Sequence, residues 1–98
     1  MALSLSEADI KALSLTIRSF KEIESVVVFG SRAKGNALIG SDVDLALKGE
    51  SVTDKTVLAL VEALENVPLP YFYDIVIYRD IQNKDLIDHI DRVGIVLF

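Results

Sequence analysis

The stretch VVVFGSRAKGNALIGSDVDLAL, residues 26–47, decides the fold. Its first four residues, with Ser25 before them, form a continuous run of β-branched and aromatic side chains without polar alternation, as expected of a central strand covered on both faces. Gly30 ends that strand. Ser31 to Lys34 then reads as a single helical turn, with Ser31 as N-cap and Gly35 as the residue that stops it, followed by a loop over Asn36–Ser41. From Asp42 to Lys48 the chain alternates: Val43, Leu45 and Leu47 share one face, while Asp42, Asp44, Ala46 and Lys48 share the other. This is a second strand with an apolar side and an acidic end. The short connection favours an antiparallel pair.

Working outward, Ser6 and Asp9 form a Ser-x-x-Asp capping pattern ahead of Ile10, Leu13, Ile17 and Phe20, whose spacings of three and four predict a helix over Ser6–Ile23. Thr53 caps another helix, with an apolar stripe of Val57, Leu58, Val61 and Leu64 ending near Asn66 before Pro68 and Pro70. Tyr71–Tyr78 reads as a third strand. Asn83 then caps a short helix carrying Leu86, Ile87, Ile90 and Val93, Gly94 ends it, and Ile95–Phe98 forms a terminal strand. The helix between the second and third strands is long enough for a crossover, which makes those strands parallel and neighbours. The expectation is an α+β fold, a mixed sheet of about four strands with helices packed on it.

A chain of 98 residues supports one modest core, so a single domain over 1–98 is expected, with no second lobe to enclose a substrate. A large ligand must then be shared with a partner or a second copy. With 51% apolar and 26% charged residues the chain belongs among compact folds rather than disordered ones. The net charge of −5 and the lack of a Lys/Arg stripe argue against extended nucleic-acid contact. No segment approaches the roughly 20 apolar residues of a membrane span, and no basic, apolar leader precedes the first helix. A cytoplasmic protein is expected. The absence of cysteine removes disulfide and thiol chemistry, leaving oxygen ligands and His89 for any metal.

Those oxygen ligands are arranged. Asp42 and Asp44 leave the same strand face, their Cα atoms roughly 6.5–7 Å apart, and a parallel neighbouring strand brings Asp74 to the same sheet end. At about 6 Å and an effective dielectric near 20, each pair of carboxylates repels by roughly 3 kcal/mol, which opposes folding or raises pKa values unless cations intervene. Hard oxygen donors suit two Mg²⁺ ions, or Mn²⁺. Gly30 allows close backbone approach, the turn at Ser31 offers free N–H groups to a phosphate, and Arg32 or Lys34 can add positive charge. Together these groups suit phosphoryl or nucleotidyl transfer, in which metals and fixed donors stabilise charge on phosphorus. The plainer alternatives are a simple turn at Gly30-Ser31, a solvated strand edge at Asp-x-Asp, and a salt bridge from Asp74 to Arg79 or Arg32.

The set Gly30-Ser31, ten residues, Asp42-x-Asp44 and then Asp74 resembles the polymerase-beta-like nucleotidyltransferase superfamily. More narrowly, FGSRAKGNALIGSDVDLAL looks like the minimal nucleotidyltransferases, or MNT domains, and the resemblance extends over nearly the whole chain. It implies a polymerase-beta palm-like fold. It also implies that Ser31 contacts the triphosphate of ATP or another nucleoside triphosphate, that Asp42 and Asp44 hold two Mg²⁺ ions, and that Asp74 holds the catalytic metal and helps activate the acceptor hydroxyl. Many such domains pair with a separate all-helical HEPN protein as antitoxin and toxin, and some transfer AMP from ATP to a tyrosine of that partner. The expected function is therefore transfer of a nucleoside monophosphate, AMP from ATP, to a hydroxyl of a partner protein. The alternatives are a non-catalytic antitoxin acting by complex formation and a transferase acting on a small-molecule hydroxyl.

Other features read as structural. His89 lies on its helix away from Leu86, Ile87 and Ile90, which predicts a solvated surface position. Tyr73, Ile75 and Ile77 share a strand face and are core, while Phe72 and Tyr78 share the face of Asp74. The terminal GIVLF is expected to complete the protein's own sheet rather than an interface.

Overall fold

The computed structural model describes residues 5–34 and 42–98, without the side chains of Ser31 and Lys34. The elements run α1 (Glu7–Arg18), β1 (Ser25–Phe29), α2 (Gly30–Lys34), β2 (Val43–Lys48), α3 (Asp54–Glu65), β3 (Tyr73–Ile77), a 3-10 turn (Tyr78–Asp80), α4 (Lys84–Val93) and β4 (Ile95–Val96). The expected stop at Gly35 and the loop over Asn36–Ser41 lie outside the described residues.

Four strands form one sheet in the order β3-β2-β1-β4. β1 pairs antiparallel with both β2 and β4, whereas β2 and β3 run parallel, joined by the α3 crossover. This is the expected mixed α+β sheet. Pairing beyond β4 continues through the Leu97 N–H, which donates to Val26 O at 2.8 Å, and the Val26 N–H, which donates to Phe98 O at 3.2 Å. The terminal GIVLF thus completes this chain's own sheet.

The sheet is covered on both faces. Leu13 and Ile17 of α1 and Leu60 and Leu64 of α3 pack with Val26, Val28, Val43, Leu45 and Leu47, while Ile90 of α4 packs with Val27, Phe29 and Ala46 on the opposite face. Ala46, expected beside the acids, is fully buried under that second layer. Placing α4 there matters for function, because it sets a helix against the face that carries the acids.

Several boundaries differ from the pattern-based expectation. α1 ends at Arg18 rather than Ile23; the Phe20 N–H donates to Ile17 O and the Ile23 N–H to Phe20 O, three-residue spacings that tighten the chain into turns. Phe20 still packs on the core. In α3, capped as expected by Thr53, the buried positions are Thr56, Leu60 and Leu64, and Leu58 is 71% exposed. A residue two positions from both Thr56 and Leu60 is rotated some 200° from each and faces away. Helix α2 begins at Gly30, so Ser31 lies inside its first turn rather than at an N-cap.

Candidate active site

The end of β1 and the starts of β2 and β3 meet at one end of the sheet, because β2 runs antiparallel to β1 and β3 runs parallel to β2. The register places Phe29, Asp44 and Asp74 in one row across the three strands. Neighbouring strands are about 4.8 Å apart and residues in a row share a face, so Asp44 and Asp74 stand side by side. Asp42 sits one residue before β2 and is exposed, as is Asp74, while Asp44 between them is half-buried.

Burial pushes the Asp44 carboxyl above the ordinary carboxylate value, and the charges of Asp74 and then Asp42 push it further in the same direction, with His89 opposing them. Asp44 is therefore the electrostatic centre of the acid group. A cation at this end of the sheet would relieve it.

Gly30 serves this carboxyl directly. Its φ of +72° lies in the left-handed region, and a Cβ there would overlap Asp44 Oδ2 and lie 3.2 Å from Asp44 Cγ. Only glycine provides both the conformation and the space. The Gly30 N–H donates to His89 Nε2 at 3.1 Å, and the His89 ring meets Phe29 edge-on, with centroids 6.1 Å apart and planes at 80°.

His89 is consequently no solvated surface residue. It is partly buried against Phe29 and Gly30. Its position is three residues after Leu86 and four before Val93, a spacing that puts it on the margin of the apolar stripe, and that stripe faces the acid-bearing side of the sheet. The spacing was the available signal; what it lacked was the knowledge that α4 packs beside α2.

The basic candidates divide. Arg32 is only 8% exposed, and its guanidinium carbon lies 4.9 Å from the centroid of the Tyr71 ring, whose hydroxyl donates to Asp9 of α1. Ser31 and Lys34 share the α2 backbone with it. Arg79, weighed as a partner for Asp74, instead donates to the carbonyls of Gly49, Glu50 and Val52 and pairs with Asp80. Phe72 is 78% exposed beside the start of β3, and its carbonyl accepts from the Val43 N–H at 2.9 Å.

Among the described residues no three acidic or histidine side chains close around a single point. The acids form an open row at the sheet end. A groove of about 440 Å³ lies along β3 between α3 and α4, lined by Val57, Ile75, Ile77 and Leu86, and includes none of the three acids. Such a site has walls on the protein side only.

A sequence model of the family described as polymerase beta, nucleotidyltransferase, matches residues 11–98. The chain belongs to the polymerase-beta nucleotidyltransferase family. No curated protein matches the sequence at a significant level. Among solved structures, a toxin–antitoxin crystallised with AMP-PNP superposes with a TM-score of 0.77 at 20% identity, over 92% of this chain and 73% of that one. A mutant of the toxin–antitoxin MntA–HpeT gives 0.73 at 16% identity, covering 91% and 71%. The toxin–antitoxin MntA–HepT gives 0.65 at 17%, covering 95% and 72%. At these identities the likeness establishes that the nucleotidyltransferase fold is shared. No helix among the described residues is long and apolar enough to cross a membrane.

Proposed function

We propose that this chain is a minimal nucleotidyltransferase acting in the cytoplasm, which moves AMP from ATP to a hydroxyl of a partner protein, as the antitoxin of a HEPN/MNT toxin–antitoxin pair. The observation that carries the reading is the in-register placement of Asp44 beside Asp74, with the Asp44 carboxyl packed against Gly30. Membership of the nucleotidyltransferase family supports the reaction class. The toxin–antitoxin structures that share the fold support the partner, and the one holding AMP-PNP supports an adenine nucleotide.

The donor set fits a divalent cation. Asp42, Asp44 and Asp74 offer hard oxygens only, and the desolvated, mutually repelled Asp44 gains most from a positive charge. Their open arrangement suits Mg²⁺ or Mn²⁺, which bind through one or two carboxylates and complete their shell with water and substrate phosphates. When bound, such ions supply charge neutralisation for the triphosphate and a lowered pKa for the attacking hydroxyl. In this reading the α2 turn at Ser31 contacts the triphosphate, with Gly30 allowing close approach and Lys34 and Arg32 adding positive charge. Asp74 accepts the proton of the acceptor hydroxyl. The new bond joins the acceptor oxygen to the α-phosphorus as the bond to the bridging oxygen breaks and pyrophosphate leaves. The exposed sheet end leaves room for the acceptor to come from another chain.

The test is incubation of this protein with a HEPN-type partner, sought as the product of the adjacent reading frame, together with Mg²⁺ and α-labelled ATP. Label is expected on the partner and is expected to fall at least a hundredfold with Asp42→Asn or Asp44→Asn, about the loss typical of removing one preorganised electrostatic group. No transfer with any divalent metal, or undiminished transfer in both variants, refutes the reading. Protection of cells from the neighbouring toxin by those same inactive variants would make complex formation the function instead.

A further inference from the structure

Helix α4 reaches the candidate site through His89. His89 accepts the Gly30 N–H at 3.1 Å, and Gly30 is both the left-handed residue that starts α2 and the one whose missing side chain admits the Asp44 carboxyl. The ring is fixed edge-on against Phe29, the residue in the same row as Asp44 and Asp74. In that bond Gly30 is the donor and the imidazole Nε2 the acceptor. The Gly30 amide is thus held by a side chain 59 residues away rather than by the α2 backbone.

On the reading given under Proposed function, the peptide joining Phe29 to Gly30 is the hinge between the strand carrying the acid row and the turn that faces the triphosphate. We propose that His89 is a positioning residue of the nucleotide site: it fixes the Gly30 peptide, and through it the spacing between the α2 turn and the Asp44 carboxyl. A nucleoside triphosphate bridging metal and turn requires that spacing to be set beforehand. His89 itself touches neither acid as a ligand in this role; it acts through Gly30. Without it the Gly30 N–H, partly buried, loses its acceptor and the peptide is free to rotate.

The experiment uses the whole chain in two measurements. First, ¹⁵N-labelled protein is examined for the scalar coupling across the Gly30 N–H to His89 Nε2 hydrogen bond. Second, Mn²⁺-ATP affinity and thermal midpoint are compared for wild type, His89→Leu, which fills space without an acceptor, and His89→Gln, which returns a carbonyl acceptor. The coupling is expected to be present. His89→Leu is expected to weaken Mn²⁺-ATP binding roughly tenfold, the scale of one lost amide hydrogen bond, while His89→Gln recovers most of it. A structural role alone would lower the midpoint of both variants alike and leave affinity per folded molecule unchanged. The proposal is overturned if the coupling is absent, if His89→Leu binds as wild type does, or if His89→Gln binds as poorly as His89→Leu. If the coupling is present but wild type binds no nucleotide with any divalent metal, the nucleotide site fails and the role assigned to His89 fails with it, whereas nucleotide binding that is indifferent to His89 refutes this inference alone.

Discussion

At Gly30 one residue satisfies three constraints, of which the first two, conformation and space, act against a side chain. The left-handed φ disfavours any L-residue by about 1–2 kcal/mol. The Asp44 carboxyl occupies the place of a Cβ, and the N–H must point at His89. Gly30→Ala therefore acts on fold and site together. It is expected to lower stability by about 2–3 kcal/mol, a sum of the backbone cost and a steric shift of Asp44. For a chain of this size each kcal/mol corresponds to roughly 4–8 °C, so calorimetry should record a drop on the order of 10 °C. An alanine variant that melts within a degree of wild type would show that Asp44 does not occupy the place beside Gly30.

The elements differ in how openly the sequence declared them, and the reason is whether the deciding contact was local. β1, α3 and α4 were legible because a continuous apolar run, the Thr53 cap and the Asn83 cap are local signals, and the structure shows the Thr53–Thr56 capping box and Asn83 accepting from the Asp85 and Leu86 N–H groups. The parallel pairing of β2 and β3 followed from crossover length, and with it the meeting of Asp44 with Asp74. The role of His89 was not legible, since it depends on α4 docking beside α2, and neither helix announces the other. The buried position of Arg32 beside Tyr71 was equally hidden, since Tyr71 comes from a distant segment. Strand β3 carries a further non-local feature. Tyr73 packs in the core and its hydroxyl, buried, meets no hydrogen-bond partner among the described residues. Burial first, then the charges of Tyr71 and Asp9, push its pKa from 10.0 to about 12. Below pH 10 both folded and unfolded chains hold the proton. Between pH 10 and about 12 the unfolded chain releases it while the folded one does not, so stability falls as pH rises through that window. Tyr73→Phe is expected to be more stable than wild type by about 1 kcal/mol at pH 8, because an unpaired hydroxyl is removed. Its advantage should widen between pH 10 and 12 in urea titrations. An advantage that stays flat across that range would place the Tyr73 hydroxyl in solvent.

For the whole molecule, 15 acidic against 10 basic residues leave a chain that is negative overall, and the fold adds to this by lining up three acids at one sheet end. Desolvation first, then the charges of Asp74 and Asp42, raise the pKa of the half-buried Asp44. Its folded pKa is raised, so the stability linked to its protonation is present below the ordinary value of 3.8 and is lost as pH rises above it. Once ionised, Asp44 is a destabilising charge at the candidate site of the metal-free protein. Two consequences of opposite sign follow. In the presence of chelator, Asp44→Asn should melt higher than wild type, by a few degrees, since the amide is nearly isosteric and uncharged. On addition of Mn²⁺ or Mg²⁺, wild type should gain stability as RT ln(1 + [L]/Kd), about 2.7 kcal/mol at a hundredfold excess over Kd, whereas Asp44→Asn should gain little, so the order of melting reverses. Calcium, which has a larger and more flexible shell, tests whether the response is a general ionic effect. If Asp44→Asn melts lower than wild type in chelator, the carboxylate holds the fold rather than a cation. If the order fails to reverse with metal, the acid row is not the site at which the metal binds.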